Sequence, residues 1–256
     1  MAEEMMHLGE VTSAIENGIA TLTFYHPKSN SLPGKILAKL AQAIRDAGEN
    51  SEVKVLILQS RGEGAFCAGA SFDELLALKE ASEAKEFFSG FARVINAIRT
   101  CPKFVIGRVQ GKAVGGGVGV ACAVDYCFAT RQAAVKLSEL AVGIGPFVVG
   151  PAVDRKIGKS AFCDLAIDAT SWKTAEWARE KGMYYQLFDD TANMDAAIQI
   201  LATKLSQSSP DAMRMLKKTM WEGTEHWEEL LSARAEMSGQ LILAPTARGI
   251  LAGLVQ

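Results

Sequence analysis

Short apolar runs rich in β-branched residues alternate with stretches of helical periodicity through the first half of the chain, and this rhythm constrains the fold more than any other feature of it. Val53–Gln59 (VKVLILQ), Phe104–Val109 (FVIGRV) and Tyr126–Thr130 (YCFAT) read as buried strands, because short, largely apolar runs of this kind leave no solvent face. Between them, Gly34–Ala47 carries Ile36, Leu37, Leu40, Ala41 and Ile44 at helical spacing, Glu74–Lys79 and Ala84–Arg99 continue the helical pattern, and residues 117–124 are apolar on every side. Strand followed by helix, repeated, predicts a parallel-type sheet covered by helices, an α/β fold. The opening is the exception. Val11–Phe24 alternates and is interrupted by Asn17-Gly18, the pair best suited to a tight hairpin turn.

Beyond about residue 150 the pattern turns mostly helical, over Pro151–Ile157, Ser160–Ile167, Thr174–Lys181, Met194–Gln207, Asp211–Thr224 and Glu225–Ala244. No Pro/Gly/Ser-rich linker and no repeat separates the halves, so the 256 residues read as one domain.

Twenty-seven basic against twenty-nine acidic residues, with no cationic block, argue against nucleic acid or an anionic membrane as a partner. The N-terminal MAEEMMHLGEV has no basic stretch leading into an apolar one, and no apolar run reaches membrane-spanning length; a cytoplasmic protein is the expectation. Five cysteines, an odd number with no CxxC pair, read as buried reduced thiols. His7, His26 and His226 have no metal-ligand spacing, so no metal is expected.

Gly111–Tyr126 (GKAVGGGVGVACAVDY) holds the densest run of bare backbone. The dinucleotide pattern GxGxxG fails at its third glycine, where Cys122 stands, and Gly158-Lys159-Ser160 lacks the first glycine of a phosphate loop, its place being taken by Val153. The remaining use is an oxyanion hole: a glycine loop admits an acyl carbonyl to main-chain N–H groups, and an N–H that opens the next helix has the positive end of the dipole behind it. The loop Phe66-Cys67-Ala68-Gly69-Ala70 likewise follows a strand and precedes a helix, and offers a second donor.

AFCAGASFDEL and GKAVGGGVGVACAVD, together with HPKSNSL, the SEL–GIGP segment and TAEWAREKGM in the same order, resemble the crotonase (enoyl-CoA hydratase/isomerase) superfamily. The resemblance implies a crotonase-like ββα spiral core over residues 1–200, a helical trimerisation region over 201–256, and a homotrimer or a pair of trimers. It implies a coenzyme A thioester as substrate with no other cofactor. It also implies oxyanion-hole donors at the N–H groups of Ala70 and Gly116, and Ala68 and Lys28 beside the cofactor end of the thioester. Lys112 is a second candidate phosphate neighbour, although a solvated lysine is the plainer reading for it and for Lys28.

Hydratases of that superfamily hold two glutamates against one water. The first position here is Gly119; the second is Glu139 in KLSELAVGIGP, with Ser138 where proline is usual. A lone glutamate between Leu137 and Leu140 suits a reaction with one acid/base. The resemblance therefore favours Δ3-Δ2-enoyl-CoA isomerase, with enoyl-CoA hydratase, another enolate reaction and a non-catalytic acyl-CoA-binding homologue as alternatives. Asp125 matches a residue of structural role. Ser71 stands where an acid commonly follows the oxyanion alanine, and the C-terminal tail lacks the usual acidic-Gly and basic pattern. Trp172, Trp177, Trp221, Trp227, Phe87 and Phe88 are candidates for an acyl pocket or, more simply, for core.

Overall fold

The structure is a computed structural model describing residues 9–253. His7, with most of the acidic N-terminal stretch, and the final residues of the tail lie outside the described residues.

Strands β1 (Glu10–Glu16) and β2 (Ile19–Tyr25) form the expected hairpin, paired from Glu10 opposite Tyr25 to Glu16 opposite Ile19. Asn17 (φ +50°) and Gly18 (φ +78°) supply the two left-handed positions of the primed turn. The remaining strands are β3 (Val55–Ser60), β4 (Phe104–Val109), β5 (Ala113–Val114), β6 (Tyr126–Thr130), β7 (Val135–Lys136) and β8 (Gln186–Phe188). Six of them make one sheet in the order β1-β2-β3-β4-β6-β8, parallel from β2 onward, and β5 pairs with β7 in a separate parallel ribbon.

The helices are α1 (Gly34–Glu49), α2 (Phe72–Ala77), α3 (Ala81–Thr100), α4 (Gly116–Ala123), α5 (Gly150–Ile157), α6 (Lys159–Ile167), α7 (Ala175–Glu180), α8 (Thr191–Ser206), α9 (Pro210–Met220), α10 (Trp227–Ile242) and α11 (Pro245–Gly253). Caps explain several starts. The Ser71 hydroxyl accepts from the Glu74 N–H (3.4 Å), so α2 begins two residues before the expected Glu74. Asp190 and Ser209 likewise accept from Asn193 (2.8 Å) and Ala212 (3.3 Å), fixing the starts of α8 and α9.

Alternate strand residues enter different layers, as the period of two requires. Val55, Ile57, Ile106 and Phe128 meet Met194, Ile198 and Ala202 of α8 on one face. Leu56, Leu58, Val105 and Val109 face the larger core, shared with α1, α3 and α4. Helix α10 lies along α3 on that same side.

Asp125 is structural, as expected. Its Oδ2 accepts from the Val105 N–H and from Lys217 Nζ (2.8 Å each), and its Oδ1 from Trp221 Nε1 (2.9 Å). Lys217, itself buried, also donates to the carbonyls of Ile98 and Lys103 (2.8 Å each). This polar clasp ties α9 to the start of β4. All five cysteines are free, four of them buried, and burial pushes the thiols of Cys67, Cys122 and Cys127 up to about 12. Among the described residues, no helix is long and apolar enough to cross a membrane.

Candidate active site

The segments that leave four neighbouring strands pair a second time. Beyond β2, Leu32 bridges Ala70; beyond β3, Cys67 bridges Ala113; beyond β4, β5 pairs with β7, which follows β6; every one of these contacts is parallel. The chain therefore winds as a spiral whose turns are stitched twice, once in the sheet and once at its carboxyl end, where open α/β folds place their ligands. The stitches are short main-chain bonds: Ala68 N–H to the Ser29 carbonyl (3.1 Å), Leu32 N–H to Gly69 (2.8 Å), Val114 N–H to Cys67 (2.9 Å) and Gly115 N–H to Lys136 (2.9 Å).

This stitching brings the two expected donors together. Ala70 and Gly116 each lie three residues past the bridged pair Cys67 and Ala113, and both line one cavity. Neither N–H donates in any hydrogen bond among the described residues. Gly116 opens α4, so its N–H belongs to the unpaired first turn and points with the positive end of the helix. Gly115 makes the turn into the helix at φ +50° and ψ −115°, a conformation that only glycine adopts without strain.

Glu139 lines the same cavity. It precedes a short 3-10 turn, Leu140–Val142, and its carbonyl accepts from the N–H groups of Val142 (3.1 Å) and Ile144 (3.0 Å), which fixes the backbone beneath the carboxyl. A Cβ on Gly115 would lie 3.1 Å from Glu139 Oε1, so the carboxyl rests against the bare glycine backbone of the loop that leads into Gly116. Glu139 Oε2 is buried and has no hydrogen-bond partner in the protein. Removal from water raises the acid to about 7, a hydrogen bond from its own N–H only partly offsetting this. That value is suited to taking and returning a proton near neutrality.

Gly119 does not open onto the cavity. A Cβ there would lie 2.4 Å from Val149 Cγ1 and 2.6 Å from Val149 Cβ, and Val149 itself lines the cavity. The volume in which a second carboxylate would begin is filled by a methyl group. Among the described residues, Glu139 is the only titratable side chain lining the cavity, which is otherwise walled mainly by apolar groups such as Leu75, Phe88, Phe91 and Val148.

Ala68, Ala70, Gly116 and Glu139 thus share one site, and Lys28 stands outside it. The Lys28 ammonium is exposed and paired with Asp73, and Lys112 lies over the exposed Trp172 ring (4.8 Å), which Lys136 also contacts (4.7 Å). Of the candidate pocket aromatics Phe88 lines the cavity, while Trp221 and Trp227 are buried edge-to-face against each other (5.8 Å). Sequence reasoning missed Val149, Phe91 and Ser238. The last reaches the cavity because α10 lies along α3. Nothing local marks Val149; its role comes from a contact with Gly119 across thirty residues of chain.

The doubly stitched spiral is that of the crotonase fold. An enoyl-CoA hydratase from Bacillus halodurans superposes with a TM-score of 0.87 at 22% identity, over 95% of this chain and 99% of that one. The chain belongs to the enoyl-CoA hydratase/isomerase family, whose profile matches residues 14–245. It is similar to the short-chain-enoyl-CoA hydratase of Clostridium acetobutylicum, 28% identical over 86% of this chain and 84% of the relative. It is also similar to the trans-2-decenoyl-[acyl-carrier-protein] isomerase of Streptococcus mutans, 24% identical over 92% and 91% respectively. The family thus includes both kinds of chemistry.

Proposed function

We propose that this protein is a Δ3-Δ2-enoyl-CoA isomerase that works with one acid/base. The thioester oxygen accepts from the N–H groups of Ala70 and Gly116. The Glu139 carboxylate removes a proton from C2, the C2–H electron pair enters the conjugated system, and negative charge collects on the thioester oxygen as a dienolate. Glu139, now protonated, returns the proton to C4, and the double bond moves from C3=C4 to C2=C3. No atom is gained or lost. Each preorganised donor on the oxygen is typically worth about 2–4 kcal/mol in the transition state.

One observation carries the choice of isomerisation over hydration: among the described residues Glu139 is the sole carboxyl of the cavity, and Val149 fills the space at Gly119. Hydration requires a water activated on one side and a proton delivered on the other; isomerisation requires one group that does both in turn. The Streptococcus relative named as an isomerase supports this reading, and the Clostridium relative named as a hydratase supports the alternative.

The test compares 3-enoyl-CoA and trans-2-enoyl-CoA of matched length, following double-bond migration and hydration separately. Migration is expected to exceed hydration by at least about a hundredfold. Glu139→Gln is expected to lower migration by roughly two to four orders of magnitude with thioester affinity little changed. Wild-type hydration faster than migration, or full turnover in Glu139→Gln, overturns the proposal.

A further inference from the structure

A second, larger cavity adjoins the catalytic one. The catalytic cavity measures about 70 Å³ and its neighbour about 630 Å³, and the residues common to both linings are Pro146 and Phe147. The segment from Pro146 to Pro151 runs between them. Val148 and Val149 face the catalytic side, whereas Gly150 and Pro151 face the other, beside Phe162 on α6. Phe147 is half-buried, with its ring folded over Gly145, where a Cβ would lie 2.5 Å from the ring Cζ. It is the large side chain in the partition.

The second cavity is suited to hydrocarbon. Phe162, Ala166, Trp227 and Leu230 supply apolar wall, and two of the cations at its edge are already engaged. Lys159 pairs with Asp154, and the Arg155 guanidinium stacks on Trp221 (3.9 Å) while donating to the Met220 carbonyl. Arg234 also lines the cavity and makes no ion pair or hydrogen bond among the described residues, so it is the one cation there that an anion would meet without displacing a partner; the apolar wall suits an alkyl chain.

We propose that Phe147 is the specificity-determining gate between the reaction centre and a second subsite, between α5, α6 and α10, for the distal methylenes of a longer acyl chain. With the ring in place the site selects short acyl groups. With the ring removed, the two cavities join and each added methylene that reaches the new wall is worth about fourfold in affinity. The inference rests on the acyl-thioester reading of the site, but not on which reaction Glu139 performs.

Binding of saturated thioesters tests it without turnover. Titration calorimetry with butanoyl-CoA and dodecanoyl-CoA is expected to show the wild type favouring the short chain. In Phe147→Ala the dodecanoyl/butanoyl affinity ratio is expected to rise at least about tenfold, and in Phe147→Leu by less. Adding Leu230→Trp to Phe147→Ala narrows the second cavity and is expected to lessen the gain. An unchanged ratio in both Phe147 variants, or a wild type that prefers dodecanoyl-CoA, overturns the gate. Preference of Phe147→Ala for a chain ending in carboxylate over the methyl-ended one overturns the hydrocarbon assignment. Failure of either thioester to bind the wild type would instead strike at the acyl-CoA reading itself.

Discussion

Replacing Glu139 by glutamine is expected to change stability in a way that depends on pH, because the carboxyl is held at about 7 in the native protein against an ordinary 4.5. Below pH 4.5 the group is protonated in both folded and unfolded chains, and it contributes nothing to their difference. Between 4.5 and about 7 the unfolded chain gives up its proton while the native protein keeps it, so the native state loses stability as the pH rises. Above 7 both forms are ionised and the loss stays constant. Each tenfold change in proton affinity is about 1.4 kcal/mol, which places the full cost on the order of 3 kcal/mol. Glutamine has the same shape and no charge, so it removes this cost. Any penalty from its own unpaired amide is the same at every pH, and the pH dependence of the difference isolates the carboxyl. Urea unfolding of wild type and variant at one protein concentration is the assay. Between pH 5 and pH 8.5 the variant's midpoint should rise relative to the wild type's by about 1 M. A gap that does not change between those values would refute the buried, raised carboxyl.

The same ionisation governs turnover: if the Glu139 carboxylate is the base, kcat/KM for double-bond migration should fall tenfold per unit below pH 7 and level off above it, and a profile centred near 4.5 would contradict the site. Gly119→Glu alone should cost about 1–3 kcal/mol by overpacking against Val149 and gain no hydratase activity. Paired with Val149→Gly it should regain stability and hydrate 2-enoyl-CoA faster than wild type, as a coupled assay would show. Lys217→Met leaves Asp125 buried without its cation and should lower stability by about 3–5 kcal/mol, read from denaturant midpoints. Exposed Met215, Leu216 and Met220 on α9 form an apolar face consistent with self-association, and sedimentation velocity is expected to give a trimer or a pair of trimers rather than a monomer.

The main sheet was legible wherever a strand carries its own pattern. Phe104–Val109 and Tyr126–Thr130 occur at the expected bounds, and the Asn17-Gly18 turn fixes the hairpin. The two-residue strands β5 and β7 have no period to read; they exist because neighbouring turns of the spiral present main-chain groups to them. Gln186–Phe188 was likewise unread, since its place at the sheet edge is set by β6 rather than by its own three residues. Pro245–Gly253 ran past the expected end of the last helix, where proline begins a new one. In the site, the glycine loop could be picked out by residue type and Glu139 through the family resemblance. Val149 could not, because a valine speaks of packing and only the fold reveals what it packs against. Lys28 lies outside the cavity's lining, exposed and paired with Asp73.

The bridge between Cys67 and Ala113 has a consequence for how this protein tolerates change in length. The spacing of the Ala70 and Gly116 N–H groups, the proposed oxyanion donors, is measured by counting main-chain units from that bridge, three on each side, and no side chain in either count has to reach the other loop. Substitutions at Ala68 or Val114 should therefore alter the shape of the cavity while leaving the donors opposed. A single residue inserted or deleted between Cys67 and Ala70, or between Ala113 and Gly116, shifts one donor past the other by a full residue length of about 3.3 Å. Insertions should be accepted in the exposed Arg61–Gly64 loop, ahead of the bridge, and rejected in the six positions after it.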